Sequence, residues 1–450
     1  MRSRVQYMLS LLALALGVTG CFKDDNFDFQ FTGESGSYDS PARVESPDVR
    51  NVLVYVGGGF NTLSPYIAED IEDISNGPLP TRNHPSDPVL VVLSRLNKDP
   101  YSKETTDLTA PALFRIYANE KGQCVKDTLR VWPEDTPASS PTLLTEALNF
   151  VYRQFPAKSY GMIISSHASG WLPALYYSKP SEYESAAWNS YMPGINLKPF
   201  QAPWRDQPEV FPDLDEDDGY PAVKSVFRDE GENVCEMDLD LLAEAIPFHL
   251  DYLLFDACLM GCVEVAYELK EKVDLVGFSQ TEVLADGFDY TRLSSRLLQK
   301  NPDPVSVCQD YFEQYDKQTG VNRSATISLV DTRKMDHLAE VCKTLFEAYR
   351  EQIATLPGSK VQPYFQHNRH FFYDLKDILV KAGITEEEKA LLEAALDECI
   401  LYKAATPSFL SIKIVCYSGF SMYLPSMGST YLDNFYKSRM AWNRATSLVK

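Results

Sequence analysis

Two short apolar runs end in residues equipped for nucleophilic chemistry. Gly161 to Ile164, continued by Ser165 and Ser166, delivers His167, followed by Ala168, Ser169, Gly170 and Trp171. Tyr252 to Phe255 delivers Asp256, Ala257 and Cys258. A thiolate is a strong nucleophile, and an imidazole that titrates near neutrality takes the thiol proton and returns one to a leaving amine. Together they are the parts of a cysteine hydrolase. The pattern places Cys258 at the first turn of a helix, where the positive end of the dipole favours thiolate over thiol. Backbone N–H groups at Ala168 and Cys258 then serve as oxyanion donors. Taken singly, Cys258 reads as a buried thiol and His167 as a hydrogen-bonded histidine. Their shared position at strand exits separates them from the rest of their kind. His84 and His367 lie in loop-like sequence, His249 sits beside Pro247, His337 falls on a helix and His370 borders an aromatic cluster. Cys262 lies a turn further along the expected helix and feels less of its dipole. A serine mechanism through Ser166 lacks the Gly-x-Ser-x-Gly elbow.

Strands alternating with helices must position these residues. Asn51 to Val56, Pro88 to Leu96, Leu113 to Tyr117, Tyr160 to Ser166, Tyr252 to Phe255 and Asp274 to Ser279 read as apolar strands. Between them the periodicity predicts helices over Leu63 to Ile74, Pro141 to Phe155 with Ser140 as N-cap, Leu239 to Ile246, and Leu259 to Val273. Such alternation implies an α/β domain with a mostly parallel sheet and helices on both faces. In that architecture ligands bind beyond the carboxyl ends of the strands, where His167 and Cys258 fall. After residue 300, helices are expected over Pro304 to Asp316 and Lys334 to Gln352. A further helix is opened by a Thr385–Glu388 capping box and runs to Tyr402. Phe409 to Tyr417 and Ser421 to Leu424 read as a terminal hairpin. The domain layout is therefore a peptidase-like α/β domain over 51–300, with an insertion over 172–236, and an α+β extension over 301–450. The Gly57 to Gly59 triplet lacks the Gly-Lys-Ser/Thr of a phosphate loop, and the acidic helix after it, with Glu69, Asp70, Glu72 and Asp73, repels phosphate.

The chain has 450 residues and a formal charge of −21, with 44% hydrophobic and 23% charged residues. That composition suits a folded globular protein, and an acidic surface removes the electrostatic drive for binding nucleic acid. Arg2 and Arg4 precede an apolar run from Met8 to Leu16 and then Gly17, Val18, Thr19 and Gly20 ahead of Cys21. This is the layout of an export signal, too short to span a bilayer comfortably. It resembles a bacterial lipoprotein leader over 1–20, with Cys21 the lipidated residue and the membrane a partner through that anchor. Residues 21–50 read as the lipidated terminus and a Gly/Ser/Pro tether. Phe22, Lys23, Asp24 and Asp25 resemble an acidic tag for the outer face of an outer membrane. The other eight cysteines lack zinc-site spacings and read as small buried hydrophobes.

Tyr160 to Trp171, Asp256 to Gly261 and Ser279 to Tyr290 resemble the clostripain family of cysteine peptidases, whose fold is shared with caspases. The similarity extends over most of 51–425. It implies His167 and Cys258 as the catalytic dyad, with Asp256 and Asp286 lining a pocket for Lys or Arg before the cleaved bond. Protein or peptide substrates with basic residues are the implied partners. Relatives that cut themselves between the two motifs imply processing in the insertion, with Lys224 and Arg228 the preferred positions because Pro follows Lys179 and Lys198. Some members use calcium, and Asp213, Asp215, Glu216, Asp217 and Asp218 offer hard oxygen ligands, but without calcium-loop spacing they read as solvated charge, and no other cofactor is implied. The family often has glycines after the histidine. Ala168 and Ser169 stand there instead, which leaves an inactive peptidase fold acting as a surface binding module as the alternative.

Overall fold

β-Branched and large apolar side chains fill the runs that become the middle of the sheet, so the strands bury both faces instead of alternating. Residues 50–58, 63–101, 108–174, 176, 237–365 and 370–450 are described, in a computed structural model. All belong to one compact unit, Ala42–Lys450. In chain order the strands are β1 (Asn51–Gly58), β2 (Val89–Arg95), β3 (Ala112–Ala118), β4 (Cys124–Val131), β5 (Ser159–Ser165), β6 (Leu250–Asp256), β7 (Val273–Phe278), β8 (Thr326–Asp331), β9 (Tyr373–Asp374) and β10 (Ile400–Ala405). All but β9 join one sheet in the order β10-β8-β7-β6-β5-β1-β2-β3-β4. The five central strands, β7 to β2, run parallel, so their carboxyl ends share one edge. Antiparallel pairs flank them, β3 with β4 on one side and β8 with β10 on the other.

Helices cover both faces. Ser64–Asn76, Tyr290–Leu297 and Pro304–Asp316 pack together, while Pro141–Gln154, Leu239–Ala245, Val263–Leu269 and Met335–Ala348 form a second contiguous set. Helix Pro141–Gln154 starts as its sequence indicates, with the Ser140 hydroxyl accepting from the Leu143 N–H at 3.2 Å. The Thr385–Glu388 capping box is formed as well.

Four elements depart from the reading above, and in the first two strand pairing overrides a local signal. Helix Glu386–Cys399 stops before Ile400, and Ile400, Tyr402 and Ala404 turn inward at every second residue as edge strand β10. The terminal hairpin is replaced by a small one of its own, Ser408–Phe409 with Ile412–Lys413, while Ser421–Met422 pairs with β9. Helix Met335–Ala348 breaks at Tyr349 before resuming over Arg350–Thr355. The charged β4 carries no strong apolar signal because it is an exposed edge. Cys258, Cys262, Cys308, Cys342 and Cys399 are buried free thiols, Cys416 is half-buried and Cys124 is exposed on β4. No helix among the described residues is long and apolar enough to cross a membrane. The leader, Cys21, the tether, Cys235 and nearly all of the 172–236 insertion lie outside the described residues.

The β5–β6 contact depends on a missing side chain. Gly161 pairs with Tyr252, and a Cβ at Gly161 would occupy the space of the buried Tyr252 ring. Gly161→Ala is expected to lower unfolding free energy by about 2 kcal/mol, the usual scale of core overpacking, at an unchanged m-value in urea. A midpoint equal to that of the unsubstituted chain would contradict this packing.

Candidate active site

In the parallel ladder of β5 and β6, Ser165 stands opposite Asp256. The chain therefore leaves both strands at one level of one edge, and two residues later it carries His167 in one loop and Cys258 in the next. The loops touch. Gly170 lies at φ +61°, and a Cβ there would come within 2.6 Å of the Leu259 carbonyl oxygen and of a Phe372 ring carbon. Only a glycine tolerates both that conformation and that approach. Both ring nitrogens of His167 are buried. Ala168 follows it, half-buried against the hydrophobic core, and Ser169 is buried.

The surroundings of Cys258 differ from the expected helix start. Leu259 adopts φ +64°, a left-handed conformation that costs a side-chain-bearing residue about 1–2 kcal/mol. Its N–H reaches the Thr281 carbonyl at 2.9 Å, and the Gly261 N–H reaches that of Ser279 at 2.7 Å. These bonds hold the chain in a loop, and the helix begins only at Val263, with Cys262 as its N-cap. Cys258 is thus not at a helix N-terminus, and the dipole argument for its thiolate does not apply. A backbone donor is present instead, since the Val283 N–H points to the Cys258 sulfur at 3.2 Å. Cys262 has the cap position without the benefit, because burial, with the Glu264 charge second, pushes its thiol pKa up.

Beneath this edge lies a polar cluster. Asp256 is fully buried and accepts from the Tyr290 hydroxyl at 2.6 Å and the Ser165 hydroxyl at 3.4 Å. The Ser165 hydroxyl also lies 3.1 Å from Asp70, which accepts from the Tyr55 hydroxyl at 2.9 Å. Burial, then the nearby carboxylates, pushes the pKa of both tyrosines well up, so they remain donors. Asp70 is one of four acidic residues on the helix Ser64–Asn76, with Glu69, Glu72 and Asp73, but it does not face solvent. It lies instead on the inward stripe with Ile67, Ile71 and Ile74, a placement legible in the i, i+3, i+4, i+7 spacing.

A cavity of about 190 Å³ opens beside the cysteine loop, lined by Tyr66, Leu284, Ala285, Asp286, Gln314, Tyr315, Gln318 and Asn322. Val283, which contacts the Cys258 sulfur, directly precedes that lining. Asp286 is exposed there. Asp256 is not among the lining residues and packs instead against Gly287, which has φ +61° and no room for a Cβ beside that carboxylate. The acidity of the mouth is felt by Glu69, whose pKa is raised by burial and by Asp286. Sequence reasoning missed Tyr55, Ser165, Tyr290 and Val283, whose roles depend on neighbours distant along the chain. Lys224, Arg228 and the acidic run Asp213 to Asp218 lie outside the described residues. Among the described residues no group of three or more His, Cys, Asp or Glu is arranged to hold a metal ion.

Comparison with known proteins agrees with this architecture. Residues 213–447 match the model of the clostripain family of peptidases, a span that contains Cys258 but not His167. Clostripain of Hathewaya histolytica is 21% identical over 88% of this chain and 80% of its own length. An inactive zymogen C11 protease from Parabacteroides distasonis superimposes with a TM-score of 0.65 at 25% identity, covering 90% of this chain and 99% of that one. A secreted C11 cysteine protease from Bacteroides thetaiotaomicron gives a TM-score of 0.65 at 22% identity, covering 89% and 100%.

Behind the cysteine loop, Glu264 is completely buried and accepts from the Tyr436 hydroxyl at 2.6 Å and the Tyr423 N–H at 2.9 Å. Burial outweighs these bonds and raises its pKa from 4.5 to about 7. A carboxyl raised on folding stabilises the fold while protonated, and that contribution fades as pH rises through the folded value. Between pH 4.5 and 7 the unsubstituted chain should therefore lose stability relative to Glu264→Gln, by on the order of 3 kcal/mol in total. Urea titrations across that range check it, and parallel pH profiles for the two chains would contradict it.

Proposed function

We propose that this chain, which belongs to the clostripain family of cysteine peptidases, hydrolyses peptide bonds after Lys or Arg, with Cys258 as nucleophile and His167 as general acid and base. The observation that carries the dyad is the β5–β6 register, which sends both residues out of adjacent parallel strands at one level. The Cys258 sulfur, its proton passed to His167, attacks the scissile carbonyl carbon. Backbone N–H groups at Ala168 and Cys258 receive the developing oxyanion. The tetrahedral intermediate expels the amine as His167 protonates it, leaving a thioester on Cys258. Water then attacks the thioester carbon while His167 takes a water proton; the C–S bond breaks, His167 returns that proton to the Cys258 sulfur, and the acid product leaves.

Specificity rests on Asp286. It faces a cavity that starts one residue beyond the Cys258 contact, and a carboxylate at that mouth attracts an ammonium or guanidinium head. Asp256 supports the pocket from below through Tyr290 and Gly287. Cleavage within the 172–236 insertion, after Lys224 or Arg228, precedes full activity. Cys258 is fully buried, so a peptide reaches the sulfur only after covering chain moves. The zymogen relative supports such a step. The leader ahead of Cys21 and the secreted relative support export, with Cys21 anchoring the protein to the outer membrane.

Cys258→Ala and His167→Ala should each lower hydrolysis of Lys- and Arg-peptide amides by about 1,000-fold or more, and Cys258→Ala should stop cleavage of the insertion. Turnover surviving in Cys258→Ala would overturn the mechanism. Asp286→Ala is expected to reduce kcat/KM for basic substrates about 100-fold while leaving the rate of Cys258 alkylation by a small uncharged reagent unchanged. Steady-state kinetics with fluorogenic peptides differing only in the residue before the bond measure this.

A further inference from the structure

The chain after residue 420 is built into the cysteine loop. The Ser421 N–H donates to the Gly261 carbonyl at 2.8 Å, and Cys262 and Ser421 form a parallel bridge. Two residues further along each segment, one oxygen of the fully buried Glu264 accepts both the Tyr423 N–H and the Tyr436 hydroxyl. The rings of those two tyrosines are the ones that grip Trp171, with centroids 4.7 Å and 5.2 Å from its own, and they pack against each other at 4.8 Å. Trp171 has no solvent exposure and stands four residues after His167, next to the Gly170 that abuts Leu259. A single carboxyl on the cysteine side thus holds the two aromatic walls of a socket on the histidine side.

We propose that Glu264 is a positioning residue: through Tyr423 and Tyr436 it clamps Trp171 and so sets the placement of the His167 loop against the Cys258 loop. The inference rests on the dyad reading above. Glu264 itself lies in the helix that follows the cysteine loop, and the contacts found for it are with Cys262, Tyr423 and Tyr436, so its effect on chemistry passes through packing. A disturbed clamp leaves the pocket around Asp286 in place and misaligns proton transfer, which lowers kcat more than it raises KM.

The test measures kcat, KM and the rate of Cys258 labelling by a lysine-terminated chloromethyl ketone on the full chain. Glu264→Ala should lower kcat and labelling at least tenfold with KM within twofold of the unsubstituted chain. Glu264→Gln, whose amide oxygen still accepts both bonds, should keep at least half the activity. Tyr436→Phe, which loses one clamp bond and keeps the ring, should fall several-fold. Tyr423→Phe, whose hydroxyl is bonded to Asp433 and whose N–H still meets Glu264, should stay near the starting activity. The tyrosine pair decides the matter even if Glu264→Ala does not fold. Unchanged kcat in Glu264→Ala, Glu264→Gln as poor as Glu264→Ala, or Tyr423→Phe as damaging as Tyr436→Phe would overturn the inference. An unsubstituted chain that has been cleaved in the insertion and is still not labelled at Cys258 overturns the dyad reading and this one with it. Normal labelling there with indifferent Glu264 and Tyr436 variants overturns this one alone.

Discussion

The parallel pairing of β5 with β6 is the constraint on which the rest of the site depends. A parallel ladder keeps corresponding residues level, so the exits after Ser165 and Asp256 stay side by side however long the intervening chain. An antiparallel pairing would have sent the two exits to opposite edges. The chain between the two strands is long and, among the described residues, passes through helix Leu239–Ala245, so it is the register and not nearness in sequence that brings the exits together. Gly161 is what lets the two strands carry the Tyr252 ring between them.

Level exits alone would leave two loops free to drift, and the structure spends buried polar groups on preventing it. The cysteine loop is tied to the Ser279–Thr281 segment by backbone bonds that force Leu259 into a left-handed conformation, and to the C-terminal chain through Gly261. The histidine loop is seated by Trp171 and closed against Leu259 by Gly170. Under both, Asp70, Ser165, Asp256, Tyr55 and Tyr290 form a hydrogen-bonded layer with two carboxyl groups drawn away from water. Burying such groups is unfavourable unless their bonds are made, and that makes them sensitive to small displacements and useful for holding one geometry. The C-terminal extension shares in this work: it supplies β8 and β10 to the main sheet and the Tyr423–Tyr436 wall to the site.

Local patterns were most legible where burial on both faces left long apolar runs. The strands carrying His167 and Cys258 announce themselves in this way, as does helix Pro141–Gln154 through its cap. They misled where a short signal competed with distant partners. The run after Cys258 has the composition of a longer helix, yet cross-loop bonds delay that helix to Val263. Ile400 to Ala405 continue a strong helix pattern, yet pairing with β8 draws them into an edge strand. Asp70 is a case where spacing alone suffices, since it falls on the apolar stripe with Ile67, Ile71 and Ile74 despite its charge.

What the sequence determined by itself is the chemistry on offer: one thiol and one imidazole at strand exits, and an acid at Asp286. Residue identity and local periodicity are properties of a few neighbours, and they survive without knowledge of the fold. What only the tertiary structure decided is which of these groups meet and what surrounds them. The Val283 N–H at the sulfur, the layer beneath Asp256 and the Glu264 clamp each join segments at least 25 residues apart. Such contacts are selected by the packing of the whole sheet, and no local rule encodes them.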